Sequence, residues 1–244
     1  MNLKFLIVLV YYKRPNMVLN ALQSIKQLSY ENWQLDFIDD SGDDSFRDTL
    51  MNFGLDSSKI NYLPIFDTEE QKKLQGGSRH GEYMNKSIYA TTADVVIVLC
   101  DDDALTSDFL TNLNSYYTAN PDIMWSYSKV KYFNPIFETY HQAVDSYTLA
   151  RQYGQSVDLN KHDTPINPDC ACDSSQVTFR RRCYVDKEIK YPYPQTRNLD
   201  SAIYNKMYQA WGPCYPTFFY GQCKGVFDDQ LGRKGNNEFN INVQ

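Results

Sequence analysis

Ala93-Asp94-Val95-Val96-Ile97-Val98-Leu99-Cys100-Asp101-Asp102-Asp103 is an apolar run that stops abruptly in three consecutive carboxylates. From Val95 to Leu99 it carries no polar side chain, so it suits a strand buried on both faces of a parallel sheet rather than an alternating, half-wet strand. Three adjacent acids repel one another. A fold that sets them behind a buried strand either solvates them as an acidic turn, which Asp favours, or holds a cation among them. Hard oxygen ligands of this kind favour Mg2+ or Mn2+.

Two earlier segments have the same design. Lys4 to Val10 is a continuous apolar run leading into Tyr11-Tyr12-Lys13-Arg14-Pro15, and Trp33 to Ile38 runs into Asp39-Asp40-Ser41-Gly42. Between them, from Pro15 to Leu28, apolar residues fall at Met17, Val18, Ala21, Leu22, Ile25 and Leu28, a helical spacing with Pro at the entrance. Strand, helix and strand predict a right-handed crossover. Ligands of open α/β sheets bind outside the carboxyl ends of the strands, so these three polar ends describe one candidate site.

The pattern further predicts a helix over 44–53, a strand over 59–65, a polar, mobile loop over 67–81 carrying Gly76-Gly77, and helices over 82–89 and 107–117. Strands are expected over 125–133 and 175–184. A last amphipathic helix over 199–211 has Leu199, Ala202, Ile203, Met207 and Ala210 on one face and ends at Gly212-Pro213.

A chain of 244 residues has room for one sizeable α/β domain, and 42% hydrophobic with 22% charged residues excludes a disordered chain. No apolar stretch approaches the roughly 20 residues that cross a bilayer, and Phe5 to Val10 reads as a strand rather than a signal peptide. Six cysteines without an export signal then lead to an expectation of reduced thiols and a cytoplasmic setting. Cys170-Ala-Cys172 with Cys183 lacks the paired C-x-x-C form of structural zinc sites, and His80, His141 and His162 stand without i,i+4 partners. The net charge is −6. Residues 1–150 hold 12 basic and 20 acidic side chains, against 12 and 10 in residues 151–244. The one basic cluster, Arg180-Arg181-Arg182 with Lys187, Lys190 and Arg197, is interleaved with Tyr184, Tyr191 and Tyr193. A solvated strand face is the expected reading; a surface that stacks nucleic-acid bases is the alternative, opposed by the negative net charge.

Val8-Leu9-Val10-Tyr11-Tyr12-Lys13-Arg14-Pro15, Phe37-Ile38-Asp39-Asp40-Ser41-Gly42-Asp43 and Val98-Leu99-Cys100-Asp101-Asp102-Asp103 resemble, in order and spacing, the P-T-Y-N-R-P, V-D-D-G-S and D-x-D blocks of the family-2 glycosyltransferases of the GT-A fold. The resemblance covers residues 3–117 and, thinly, 175–212. It implies an α/β fold with a central, mostly parallel sheet and flanking helices, divided into a nucleotide-sugar half (1–117) and an acceptor half (118–244). It implies a nucleotide diphosphate sugar donor, with the base near Val10, Tyr12 and Asp39 or Asp40, and with Arg14 and Asp101 among the donor contacts. A Mn2+ or Mg2+ ion would bridge the acidic loop to the diphosphate. Cys100 stands where many members carry the first Asp of that loop, which moves the metal load to Asp102, with Asp103 and Asp101 assisting.

Asn85 aligns with the family's A-R-N-x-G segment, where Met84 replaces the usual Arg, and Arg79 in the preceding loop is the candidate substitute. Asp200, in Arg197-Asn198-Leu199-Asp200-Ser201-Ala202, resembles the family's late E-D pair. That position implies the base of an inverting transfer, taking the proton of the attacking hydroxyl; the alternative is a helix-terminal acid favoured by the macrodipole. The acceptor implied is a glycan, a lipid-linked sugar or a protein. A hydroxymethylated base in DNA and a non-catalytic nucleotide-sugar binder are the alternatives. Nucleotidyl transfer ranks last, since no Gly-rich phosphate loop follows the first strand.

Overall fold

Alternate residues of one apolar strand serve two cores. In β1 (Phe5–Tyr11), Phe5, Ile7, Leu9 and Tyr11 pack into one hydrophobic cluster while Leu6 and Val8 pack into another. β4 (Val95–Cys100) divides the same way, Val95, Ile97 and Leu99 against Val96 and Val98. Both strands lie inside a sheet that is covered on both faces, which is why their sequences show no polar alternation. The computed structural model describes residues 1–133, 164–168, 174–193 and 199–225.

One face of the sheet is covered by α1 (Pro15–Lys26), α2 (Arg47–Met51) and α5 (Phe109–Ala119), through Val18, Ala21, Leu22 and Ile25, Leu50, and Phe109, Leu110, Leu113 and Tyr117. The other face is covered by α4 (His80–Ala90), α6 (Arg181–Val185) and α7 (Leu199–Trp211), through Met84 and Ile88, Cys183 and Tyr184, and Ile203, Tyr204 and Met207. With β2 (Trp33–Asp39), β3 (Ile60–Pro64), β5 (Asp103–Leu105), β6 (Trp125–Phe133), β7 (Val177–Arg180) and β8 (Tyr215–Gly225), the eight-stranded order is β3-β2-β1-β4-β7-β6-β8-β5. β3, β2, β1 and β4 are mutually parallel, β7 runs antiparallel to β4 and β6, β8 is parallel to β6, and β5 is antiparallel to β8. This mostly parallel, three-layer α/β architecture is the one expected.

Parallel pairing fixes where the site forms. In register, Tyr11 lies beside Asp39 and Val10 beside Cys100, so the carboxyl ends of β1, β2 and β4 share one sheet edge.

Two expectations are corrected. The segment over 67–81 is not simply a loop, because Glu69–Leu74 forms a helix, α3. Thr68 and Gln71 make a reciprocal capping box at its start, Thr68 N–H donating to Gln71 Oε1 and Gln71 N–H to Thr68 Oγ1. The strand expected over 175–184 is split: a 3-10 turn (Ser174–Gln176) precedes β7, and the chain turns into α6 at Arg181. There Arg181 N–H donates to Asp94 O, and its side chain reaches the carboxyl-terminal carbonyls of α4.

Candidate functional site

β1 ends in a strained turn. Lys13 adopts a left-handed backbone (φ 51°), a conformation that costs energy for a residue with a side chain and that clusters at functional sites. It lets Tyr12 N–H donate to Asp101 Oδ2 at 3.0 Å. The following residue, Arg14, places its guanidinium between two acids: Nη2 and Nε bond Asp101, and Nη1 lies 3.1 Å from Asp102 Oδ2. Asp101 is buried. Burial pushes its carboxyl up to about 6, and the neighbouring Asp102 adds to this against the pull of Arg14 and of Tyr12 N–H.

Asp102, on the other arm of this clamp, also belongs to a group with Cys100 and Asp103. Cys100 Sγ and carboxylate oxygens of Asp102 and Asp103 all lie within 4.8 Å of one another. Asp103 is fixed from behind, where Ser175 Oγ donates to its Oδ2 at 2.6 Å and Lys224 Nζ stands 3.7 Å away. Three donors held at roughly 2.0–2.3 Å by one divalent ion stand about 3–4 Å from one another. A cluster of this size can therefore hold one after a small closing movement, with two anionic oxygens to balance the charge.

The end of β2 is tied down by side chains. Asp39 is fully buried and accepts from Ser41 N–H, Ser41 Oγ and Tyr62 Oη. The Asx turn this makes runs through Gly42 (φ 92°), where a Cβ would stand 3.1 Å from Asp67 O. Asp40 accepts from Ser78 Oγ at 2.6 Å, and Lys72 Nζ lies 3.0 Å from its Oδ1 in an ion pair without hydrogen-bond alignment, while donating to Asp40 O at 2.6 Å. Burial alone would raise this carboxyl. The Ser78 hydroxyl bond, nearby His80 and the Lys72 ammonium together outweigh burial and leave it below the usual carboxylate range. Lys72 also sits 4.7 Å from the Tyr12 ring, whose hydroxyl donates to Glu69 Oε1. Tyr12 keeps 38% of its surface exposed, so its ring presents a face at the strand edge between Val10, half-buried, and α3.

Other expected site residues are engaged locally. Arg79 donates from Nε to Glu82 Oε2 at 2.8 Å and stands 3.7 Å from Asp67. The Asn85 amide pairs with the Tyr191 main chain in both directions, at 2.8 and 2.9 Å. Asp200 lies in the first turn of α7. Burial is the main cause holding the Tyr191 phenol above its ordinary range, and the charges of Asp200 and Cys100 add to it. Asn198 and Arg197, which completed the Asp200 motif in sequence, lie outside the described residues, as do Cys170, Cys172, His141 and His162.

Sequence reasoning missed Lys72, Ser175, Lys224 and Tyr191. The capping box at Thr68 was a readable signal for the helix that carries Lys72, whereas the other three come from segments whose pattern is weak. Arg180 and Arg181 of the basic cluster lie away from this edge. Arg180 pairs in register with Val95, at the amino end of β4, and donates to the carbonyls of Tyr117, Asn120 and Ile123 at the end of α5.

Residues 6–181, from β1 to the start of α6, match the sequence profile of glycosyl transferase family 2. The chain belongs to that family. Solved structures agree on its GT-A fold at low identity: S. aureus TarS 1–349 at 13% identity and TM-score 0.64, covering 91% of this chain and 60% of that one. TarS 1–349 in complex with UDP-GlcNAc has TM-score 0.62 at 13% identity, over 94% of this chain and 60% of that one. The mannosyltransferase PcManGT from Pyrobaculum calidifontis, in complex with GDP-Man and Mn2+, has TM-score 0.63 at 13% identity, over 96% and 60%. The family-2 chain therefore spans about 60% of the length of these structures. No curated protein sequence matches it. Among the described residues no helix is long and apolar enough to cross a membrane.

Proposed function

We propose that this family-2 protein transfers a sugar from a nucleotide diphosphate donor to an acceptor hydroxyl with inversion at the anomeric carbon. One observation carries the reading: the Cys100, Asp102 and Asp103 donor atoms gather at the carboxyl end of β4, in register with the ends of β1 and β2. Donor binding is assigned to that edge. Val10, the Tyr12 ring, Asp39 and Asp40 bound the base and ribose side, and Arg14 with Asp101 bounds the phosphate side. Arg79 and Asn85 hold the α4 wall, Asn85 through Tyr191. The complexes of TarS with UDP-GlcNAc and of PcManGT with GDP-Man support the donor class.

Asp102 and Asp103, beside Cys100, would hold a Mn2+ or Mg2+ ion. Such an ion supplies positive charge against the diphosphate as it leaves. Asp200 is assigned the base. It takes the acceptor hydroxyl proton while that oxygen attacks the anomeric carbon and the bond from that carbon to the diphosphate oxygen breaks. Residues 1–117 then serve the donor and residues 118–244 the acceptor, a glycan, lipid-linked sugar or protein. Two residues of the basic cluster behind the DNA-base alternative, Arg180 and Arg181, cap helix ends at the opposite sheet edge.

The test is a thermal-shift screen of nucleoside diphosphates and their sugar conjugates with and without Mn2+, since a ligand that binds only the folded chain raises its melting point. The expected outcome is a metal-dependent shift with one nucleotide, abolished in Asp102→Ala. In Asp200→Asn the shift persists and transfer falls by about two to four orders of magnitude, the usual worth of a general base. No shift with any nucleotide would overturn the donor site. A shift with undiminished transfer in Asp200→Asn would reassign the base.

A further inference from the structure

Cys100 closes β4, and its sulfur belongs to the same group of donor atoms as two carboxylates. The neighbouring Asp101 is committed elsewhere, to Tyr12 N–H and to the Arg14 guanidinium. The Cys100–Asp103 turn therefore offers a cation two carboxylates and a thiol. The position of the thiol is built. Cys100 is paired in register with Val10 at the end of a buried strand, and its Sγ lies 3.6 Å from Ser174 Oγ. The carboxylates are held too, Asp103 by Ser175 and Lys224, and Asp102 by Arg14.

Sulfur changes which ion such a site prefers. All-oxygen sites suit Mg2+, Ca2+ and Mn2+, whereas a thiolate favours softer ions and gains little from Mg2+. We propose that Cys100 is a direct ligand of the cation, so that the site selects softer divalent ions such as Co2+ over Mg2+. This rests on the metal reading made above and adds to it the identity of the third ligand. On binding, the thiol S–H proton leaves to solvent and a sulfur–metal bond forms, with no change of oxidation state. Asp101 stays in its clamp with Arg14 and supplies no ligand.

The experiment uses the full chain, reduced and free of metal, titrated with Co2+ under nitrogen, with bound cobalt measured by equilibrium dialysis. Wild type is expected to develop a near-ultraviolet thiolate-to-cobalt charge-transfer band that saturates at one equivalent. Cys100→Ser is expected to lose the band and to weaken Co2+ binding by at least the about 10- to 100-fold that loss of a mere outer-shell partner costs. Cys100→Asp, which rebuilds an all-carboxylate turn, is expected to bind Co2+ without the band and to compete better with Mg2+ than wild type does. Circular dichroism verifies that both variants are folded.

Cobalt bound by wild type without the band would overturn the thiol ligand and leave the metal reading standing. So would a band of equal strength in Cys100→Ser, which would assign the sulfur to another cysteine such as Cys223 on β8. Failure of both wild type and Cys100→Asp to bind Co2+ or Mn2+ would overturn the metal reading itself.

Discussion

Lys72→Met removes the cation from a nearly buried pair at the proposed donor site. The two side chains, Lys72 and Asp40, expose 9% and 6% of their surface, so solvent screens the pair little. Removing one partner of such a pair leaves a buried charge and costs about 3–5 kcal/mol. Asp40 keeps the Ser78 hydroxyl, which places the cost toward the lower end, while the lost contact with the Tyr12 ring adds about 0.5–1 kcal/mol. A loss of about 3–4 kcal/mol at pH 7 follows, which for a chain of this length lowers Tm by about 6–16 °C.

The pH dependence has a definite sign. In the wild type the Asp40 carboxyl sits below its unfolded value near 3.9, so its contribution is fully present above that value and is lost as pH falls through the lower folded value. In Lys72→Met, burial without the ammonium raises the carboxyl. Acidification from pH 7 to 5 then relieves the variant, and the gap to wild type narrows. Calorimetry or circular-dichroism melts at both pH values measure this, and Asp40→Asn/Lys72→Met is expected to recover at least about half of the loss, since a buried pair replaced by neutral groups is often near neutral. A Tm within about 2 °C of wild type at pH 7, or a loss as large at pH 5 as at pH 7, would refute the reasoning.

Two further perturbations probe the walls of the site and its far edge. Gly81→Ala would bring a Cβ to 2.8 Å from Pro192 O. The helix and the Tyr191 segment must then part, at about 1–3 kcal/mol, seen as a lower urea midpoint; an unchanged midpoint would mean that the contact yields freely. Arg180→Met removes donors from the carbonyls of Tyr117, Asn120 and Ile123 and is expected to cost about 1–3 kcal/mol. It should leave any nucleotide-induced thermal shift intact, and a lost shift would tie that edge to the donor.

Much of the proposed donor edge was legible because each clue is local. The unbroken apolar runs at Phe5–Val10 and Val95–Leu99 suit strands covered on both faces, and parallel strands bring their polar carboxyl ends together without further instruction. The helix of Glu69–Leu74 was equally local, written in the Thr68–Gln71 capping box, and was masked by the polar composition around it. The break of the expected strand at Arg181 was not local. Arg181 turns into a helix because Asp94 O and the carbonyls at the end of α4 accept its donors, and those groups lie roughly ninety residues away in the chain.

The sequence by itself thus determined the fold class, the segments that become β1 to β4 and the edge on which Tyr12, Asp39, Asp40 and the Cys100–Asp103 turn would meet, since burial follows from hydrophobic patterning. Only the tertiary structure decided how those polar groups divide among themselves. A carboxylate takes whichever cation or donor the fold brings within reach: Arg14 for Asp101 and Asp102, Lys72 for Asp40, and Ser175 and Lys224 for Asp103. These partners are set by side-chain packing across distant segments, and no spacing in the chain encodes them.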